Sequence, residues 1–477
     1  MGSALELNEH NFHEVTVDSR RLLFHIPSSS LFEADAASST VIAELRRGGS
    51  PSEEELGRRL YGQLDGPALS GVLCDLQSLD IVSRTGGGGA TAVFPTVGAL
   101  PLTTVVLNVN TGCNLSCTYC YKEDLAAPSA GEKMGLDTAV ASIEMLLRQS
   151  PEQPAYNIVF FGGEPLSNLG LIRQVVDYAE QRMTAAGKRV NFSLTTNATL
   201  LNEKTIDYLD SHRFGIAVSI DGPKAIHDRN RITVGGQGTY ETVARKVGLL
   251  LSRYRSRPVG ARVTLTRGVT DVEAIWHHLF NELGFAEVGF APVTAGDQDD
   301  FNLGEEELVA VFAAMKALGR HYVEQALQHR NIGFSNLHQL LTDIHEGSKK
   351  ALPCGAGYSM VAVDKDGGVN LCHRFTGSEL PTFGNVGQGL DVPALETFLN
   401  KRLDRTATGC ATCRIRNLCS GGCYHESYQR YNDPAHPVYH YCDLMRDWVD
   451  FGIEAYTRIS QGNPRFFDDY ISTRRAS

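Results

Sequence analysis

Three cysteines held in one short loop, directly behind an apolar, β-branched run, constrain this chain more than any other feature. Cys113, Cys117 and Cys120 spell Cys-x3-Cys-x2-Cys in the run Asn110-Thr-Gly-Cys-Asn-Leu-Ser-Cys-Thr-Tyr-Cys-Tyr121, with Tyr119 just before the third. Thiolates this close can hold three irons of a 4Fe–4S cube and leave the fourth iron open to a ligand that is not protein. A zinc knuckle would need a fourth protein ligand, and the neighbouring sequence offers none.

From Thr103 to Val293, strand-like and helix-like patterns alternate. The apolar runs are Val105 to Val109, Ile158 to Phe161, Val190 to Leu194, Phe214 to Ile220, Val259 to Leu265 and Val288 to Val293. Helical patterns such as Leu136 to Leu147, Leu169 to Met183 and Tyr240 to Leu251 separate them. Six such βα units predict a parallel sheet with helices outside it. In such sheets chemistry gathers at the carboxyl ends of the strands, and the cysteine loop falls at one of them. The next three ends carry Gly162-Gly163-Glu164-Pro165, Thr195-Thr196-Asn197 and Ser219-Ile220-Asp221-Gly222. Gly162 and Gly163 predict a close approach of backbone to a ligand, and the Glu164 carboxylate can accept from an ammonium group.

Ahead of this region, residues 5–81 read as a separate unit. Phe12 to Val17 and Arg21 to Ile26 predict a hairpin about Asp18-Ser19. Helical patterns follow at Ala37 to Arg46, Ser52 to Leu64 and Pro67 to Leu79, the last with Leu69, Val72, Leu73, Leu76 and Leu79 on one stripe. Ser52 and the acidic run Glu53-Glu54-Glu55 suit the start of the middle helix. Gly86 to Gly89 predict a flexible break. Beyond the barrel a helical bridge is predicted, with Leu308, Val309, Phe312, Met315 and Leu318 on one face. A last amphipathic helix from near Asp443, with Leu444, Trp448, Phe451 and Ala455 in register, reads as core packing.

The net charge of −11 over 477 residues argues against nucleic acid or an anionic membrane as the main partner. No stretch approaches the length needed to cross a bilayer. Met1-Gly-Ser-Ala-Leu-Glu6 has neither the basic segment nor the apolar core of an export signal, and Glu6 spoils a myristoylation reading. The eleven cysteines therefore read as reduced thiols kept for metal in a cytoplasmic enzyme.

The cysteine loop, with Gly-Gly-Glu-Pro at the end of the second strand, resembles the radical S-adenosylmethionine (SAM) superfamily. There the open iron chelates SAM, and an electron from the cluster splits the sulfonium to give a 5′-deoxyadenosyl radical. The resemblance implies an α/β fold built on a partial (β/α)6 barrel. It implies that Gly162, Gly163 and Glu164 hold the SAM amino group, and that Tyr119, Thr195, Asn197, Ser219 and Asp221 line the ribose and methionyl region. Asp221 is also a candidate catalytic residue, and Arg231 is the candidate partner of the SAM carboxylate.

Seven further cysteines lie in the last third: Cys354, Gly367-x4-Cys372, Cys410-x2-Cys413-x5-Cys419-x3-Cys423 and Cys442. A zinc ribbon would use four and leave three unexplained. The pattern resembles the SPASM extension of radical SAM peptide maturases, which implies two auxiliary 4Fe–4S clusters and three clusters in all. Cys354, Cys372 and Cys423 are implied for the first auxiliary cluster, and Cys410, Cys413, Cys419 and Cys442 for the second. The first is then one ligand short. Cys74 falls off the apolar stripe of its helix and reads as an ordinary thiol, so water, a nearby side chain or a substrate cysteine could fill the vacancy. His373 takes the place where related enzymes keep a catalytic base.

The resemblance covers nearly the whole chain. It divides into a winged-helix-like leader-peptide recognition domain (1–95), a radical SAM partial barrel (96–300), a helical bridge (301–350), a SPASM iron–sulfur domain (351–445) and a C-terminal helix and tail (446–477). A leader would be captured by strand addition; a DNA-binding winged helix is the rival reading, but no basic stripe is present. The layout looks most like the enzymes that mature quinohemoprotein amine dehydrogenase. That implies thioether links from cysteine sulfur to a methylene of aspartate or glutamate in the small subunit, made in the cytoplasm with an external electron donor. The alternatives are a carbon–carbon crosslink, an epimerisation or formylglycine formation on the same architecture, or a non-catalytic iron–sulfur carrier or leader-binding chaperone.

Overall fold

The computed structural model describes residues 3–85, 100–121, 131–294, 300–406 and 408–471; the break expected at Gly86 to Gly89 lies outside them. In the N-terminal unit, β1 (Leu5–Leu7) precedes the hairpin of β2 (Phe12–Val17) and β3 (Arg20–His25). Asp18 and Ser19 turn it with φ of 47° and 69°, the left-handed pair that matches strand twist. A short β4 (Ser30–Glu33) completes an antiparallel β2-β3-β4 sheet. Helices α1 (Ala36–Arg46), α2 (Glu53–Arg59) and α3 (Gly66–Ser78) each begin on a side-chain cap, from Asp35, Ser52 and Asp65 respectively. β5 (Val82–Arg84) returns to pair with β1. Side-chain alternation gives the small sheet two buried faces. Phe12 and Leu23 pack on Val41, Leu45, Leu69 and Leu73 of the helices, while Phe24 joins the main core of the molecule.

That main core surrounds six parallel strands in sequence order: β6 (Thr104–Asn110), β7 (Ala155–Gly162), β8 (Arg189–Thr196), β9 (Gly215–Ser219), β10 (Val259–Leu265) and β11 (Glu287–Pro292). Between them run α4 (Leu136–Gln149), α5 (Leu169–Ala185), α6 (Glu203–Ser211), α7 (Lys224–Asn230), α8 (Tyr240–Arg253) and α9 (Val272–His277). The strands are apolar because both of their faces are covered. Phe160 of β7, Phe192 of β8 and Phe214 ahead of β9 stack with ring centroids 6.3, 5.9 and 5.5 Å apart.

Two helices follow, α10 (Glu305–Leu327) and α11 (Ser335–His345). Leu308, Phe312, Met315 and Leu318 are buried, but Val309 is 51% exposed. Val309 was expected on the buried face; Val311 and Tyr322 take that place, because they continue the three-and-four spacing and Val309 does not. The sheet then gains two strands from the cysteine-rich region. β12 (Met360–Val363) lies parallel to β6, in register from Met360 with Thr104 to Val363 with Leu107. β13 (Val369–Asn370) returns antiparallel. Beyond them come α12 (Val392–Leu403), the short turns α13 (Arg416–Cys419) and α14 (Tyr424–Tyr431), and the long α15 (Cys442–Gly462).

Helix α15 buries Trp448, Phe451 and Ala455 against α10 and α11. Glycines permit the close crossing: a Cβ on Gly319 would come 2.4 Å from Phe451, and one on Gly452 would come 2.3 Å from Leu340. Its other side meets the N-terminal unit, where His13 Nε2 lies 3.0 Å from Asp450. Asn417 also donates to Ile26 O at 2.6 Å.

Replacing Phe160 with alanine opens a cavity inside the aromatic stack. Stability should fall by about 3–5 kcal/mol, read as a lower denaturation midpoint at unchanged slope.

Candidate active site

The cysteine loop leaves β6 at Asn110 and is pinned from both sides. Ser116 N donates to Ile232 O at 2.8 Å and Thr118 N to Asn230 O at 3.0 Å. Against β7 the contact is backbone on backbone. Gly163 N donates to Asn110 O at 2.7 Å and Glu164 N to Gly112 O at 3.2 Å. A Cβ on Gly163 would lie 2.0 Å from Gly112 O, and one on Gly162 2.3 Å from Asn110 O. The expected close approach at these glycines is therefore an approach to the cysteine loop itself.

Within the loop the three thiols influence one another. Burial pushes Cys113 up to about 12, with Glu164, Cys117 and Cys120 adding to the rise and Leu115 N–H opposing it. Burial raises Cys117 as well, and the Arg231 guanidinium opposes that shift. A thiol held protonated by burial becomes a thiolate once a metal takes the proton's place.

Glu164, 1% exposed, is held by β8. Its Oε1 accepts from Thr196 Oγ1 at 2.8 Å and Leu166 N at 3.1 Å, and Oε2 accepts from Asn197 N at 2.8 Å. Burial lifts the carboxyl to about 7 against these donors. Asn197 also donates to Asn114 Oδ1 at 3.0 Å. Of the two threonines it is Thr196 that reaches Glu164; Thr195, one step earlier, projects to the other side of the strand. Ser219 ends β9, half-buried.

Asp221 and Arg231 form a buried bidentate pair, with Nε to Oδ2 at 2.9 Å and Nη2 to Oδ1 at 3.1 Å. Tyr119 OH donates to Oδ2 at 2.6 Å, and Thr264 N donates to Oδ1 at 3.1 Å. The Arg231 guanidinium also lies over the Tyr119 ring at 5.4 Å. His227 stands behind the pair with its ring pushed down to about 4, chiefly by burial and then by Arg231. Arg231, the residue expected to meet a ligand carboxylate, directs its fork at Asp221, and Asp221, with both oxygens bonded, frames the site.

The remaining thiols fall into two groups. Cys372, pushed up to about 12 by burial, is acted on by Cys423 and Cys354, and Cys354 by Cys423. Cys442, pushed up to about 11 by burial, is acted on by Cys419, Cys410 and Cys413. Cys74 is exposed on α3. Among the described residues no group of three His, Cys, Asp or Glu side chains is arranged to hold a single metal ion.

The four-thiol group has two buried arginines that sequence reasoning missed. Arg402 donates to the carbonyls of Ala435, His436, Ser420 and Gly422, and Arg405 to those of Arg416 and Ala351. Burial lowers the pKa of both, and the thiols Cys410 and Cys419 oppose it. Among the described residues neither has a carboxylate partner, so their charge suits an anionic group held by these thiols.

The three-thiol group meets the cysteine loop where Arg374, two residues after Cys372, lies 4.9 Å over the ring of Tyr121, the residue after Cys120. Burial raises the Tyr121 phenol; Arg374 opposes this, and Cys120, Cys372 and Cys423 add to it. His373, directly after Cys372, packs tilted against Phe161 at the end of β7, with ring centroids 4.1 Å apart and planes at 35°. Tyr121 and Arg374 were legible only as neighbours of Cys120 and His373.

Residues 107–279 match the radical SAM superfamily model, so the chain carries a radical SAM domain. The cysteine-type anaerobic sulfatase-maturating enzyme of Clostridium perfringens is 23% identical over 365 residues, 74% of this chain and 96% of that protein. The radical SAM cyclopropyl synthase TigE of Paramaledivibacter caminithermalis is 22% identical over 363 residues, 72% of each chain. The structure of native anSMEcpe with bound AdoMet and Cp18Cys peptide superposes with a TM-score of 0.63 at 22% identity, covering 76% of this chain and 99% of that one; the likeness shows the fold.

Replacing Asp221 with asparagine strands the Arg231 charge in the interior, and unfolding should be easier by about 3–5 kcal/mol. An Asp221→Leu/Arg231→Met double variant should recover much of the loss in the same denaturation assay, since no unpaired charge is left buried.

Proposed function

We propose that this chain is a radical SAM peptide maturase. It joins a cysteine sulfur to a methylene carbon of aspartate or glutamate within a ribosomally made polypeptide, the small subunit of quinohemoprotein amine dehydrogenase. One observation supports the reading: Arg374, two residues after Cys372 of the three-thiol group, lies 4.9 Å over the ring of Tyr121, which follows Cys120 of the cysteine loop. With a cluster on each cysteine group and SAM bound, the site would supply a radical that takes hydrogen from a methylene and an acceptor for the electron released when sulfur bonds to that carbon.

The chain's own residues do the rest. Glu164 receives the SAM ammonium, Asn197, Ser219 and Tyr119 border the nucleoside, and the Asp221–Arg231 pair holds the cysteine loop beside it. His373 takes the proton of the substrate thiol, which serves as the fourth ligand beside Cys354, Cys372 and Cys423 in place of the exposed Cys74 on α3. The outer edge of β4, which ends its sheet, receives the leader by strand addition. An external donor supplies electrons. No helix among the described residues is long and apolar enough to cross a membrane.

The sulfatase-maturating relative favours a second reading, oxidation of a cysteine or serine to formylglycine. Mass mapping of the small-subunit precursor after turnover separates the two. A thioether removes two hydrogens per link and one alkylatable thiol, whereas formylglycine replaces the side-chain oxygen or sulfur group with an aldehyde. Product carrying only the aldehyde would sink the thioether reading.

Two further outcomes are expected. Reconstituted protein should hold about twelve irons in three cubes, and changing Cys113, Cys117 and Cys120 to alanine should remove about four of them and end SAM cleavage. The second outcome follows from Glu164. A carboxyl whose folded value of about 7 exceeds its ordinary value holds its proton more tightly when folded, so the stability it contributes declines as pH rises towards about 7. A bound ammonium group favours the ionised form. SAM affinity measured calorimetrically should therefore rise with pH and level off above about 7, and Glu164→Gln should abolish that dependence.

A further inference from the structure

Arg374 stands at the seam between the two cysteine groups. Its guanidinium lies 4.9 Å over the ring of Tyr121, the residue after Cys120, and its backbone follows His373. Through Nη1 it donates to the hydroxyl of Thr294, just beyond the end of β11. No other hydrogen bond from its side chain and no carboxylate partner is found among the described residues. A guanidinium carries five donors in a fixed fork, so among the described residues the edge suited to a planar oxyanion is open.

The proposed reaction makes a demand on this place. The reacting methylene must face the SAM site while the attacking sulfur sits at Cys354, Cys372 and Cys423, so the substrate side chain crosses the seam. In aspartate or glutamate the carboxylate is only one or two bonds from that carbon, and it enters the seam as well. A carboxylate drawn out of water needs a paired cation, and arginine meets it bidentately.

We propose that Arg374 binds the side-chain carboxylate of the substrate aspartate or glutamate, and so selects an acidic residue as the site of crosslinking. This rests on the thioether reading for the identity of the substrate. Arg374 acts here as a specificity-determining residue, holding the methylene by its neighbouring carboxylate while Tyr121 supports the guanidinium from below.

A double-mutant cycle tests it without turnover. The probe is a fluorescein-labelled small-subunit precursor trimmed to one cysteine–acid pair, in the acid form and in the form with that acid changed to asparagine or glutamine. Binding is read by anisotropy on SAM-loaded enzyme without reductant, for wild type and Arg374→Gln. Wild type should bind the acid form about tenfold or more tightly than the amide form, the size of a charge-assisted pair, and Arg374→Gln should bind both alike. Equal binding of the two peptides by wild type overturns the proposal. So does an additive result, in which Arg374→Gln weakens both peptides by the same factor, because Arg374 would then serve only the Cys372 thiolate beside it. Iron content and melting temperature show whether Arg374→Gln is folded. If it is not, Arg374→Lys should show discrimination between that of wild type and none, and full wild-type discrimination in Arg374→Lys excludes the bidentate fork. Product mass from wild type reports separately on the thioether: a different product with the coupling intact overturns the reaction and leaves the carboxylate contact standing.

Discussion

The site depends on two stretches of backbone that touch with nothing between them. The cysteine loop after β6 and the turn after β7 meet at Gly112, Gly162 and Gly163, where a single Cβ would stand 2.0 Å from a carbonyl oxygen. Because no side chain intervenes, two hydrogen bonds link the turn to the loop, and Glu164 is drawn in beside Cys113. Had either strand end carried an ordinary residue, the loop and the carboxylate would sit in separate places. Glycine's lack of a side chain is used here for chain packing, and the ligand site is its consequence.

Charge in the interior is arranged about that contact. Asp221 and Arg231 neutralise each other in a bidentate pair, and Arg231 also acts on Cys117, so one cation steadies a carboxylate and a thiol. At the far group, Arg402 and Arg405 meet carbonyls and thiols but no carboxylate among the described residues. Buried guanidinium groups are costly unless an anion is near, and the four thiols there are the natural source of one. Arg402 and Arg405 thus place two cations beside those thiols.

The cysteine-rich region is not a separate body. Its strand β12 extends the barrel sheet alongside β6, the strand that leads into the cysteine loop. The next strand, β13, ends just before Cys372, His373 and Arg374. Sheet hydrogen bonds therefore tie the strand that leads into the cysteine loop to the strands that lead into Cys372, and Arg374 meets Tyr121 between them. The N-terminal unit joins this body through α15, which packs on α10 and α11 with one side and on β2 with the other.

Local chemistry was legible in the sequence. The six barrel strands, the hairpin about Asp18 and Ser19, and the three N-terminal helices follow from side-chain period, turn residues and the Ser52 cap, all of which act within a few residues; the caps at Asp35 and Asp65 emerged only in the structure. The short strands Leu5–Leu7, Ser30–Glu33 and Val82–Arg84 escaped because three or four residues are too few to show a period. Val309 was misplaced because it was taken with its neighbour Leu308, although Val311 and Tyr322 are the residues that continue the three-and-four spacing. Which threonine meets Glu164, where the Arg231 fork points and which charges flank Tyr121 were not readable, since each depends on residues far apart in the chain. Sequence by itself determined which chemical groups this protein carries and on which kind of element each lies. Only the tertiary structure decided which of them meet, because pairings such as Asp221 with Arg231 or Tyr121 with Arg374 are set by strand register and backbone contact, to which local preferences are blind.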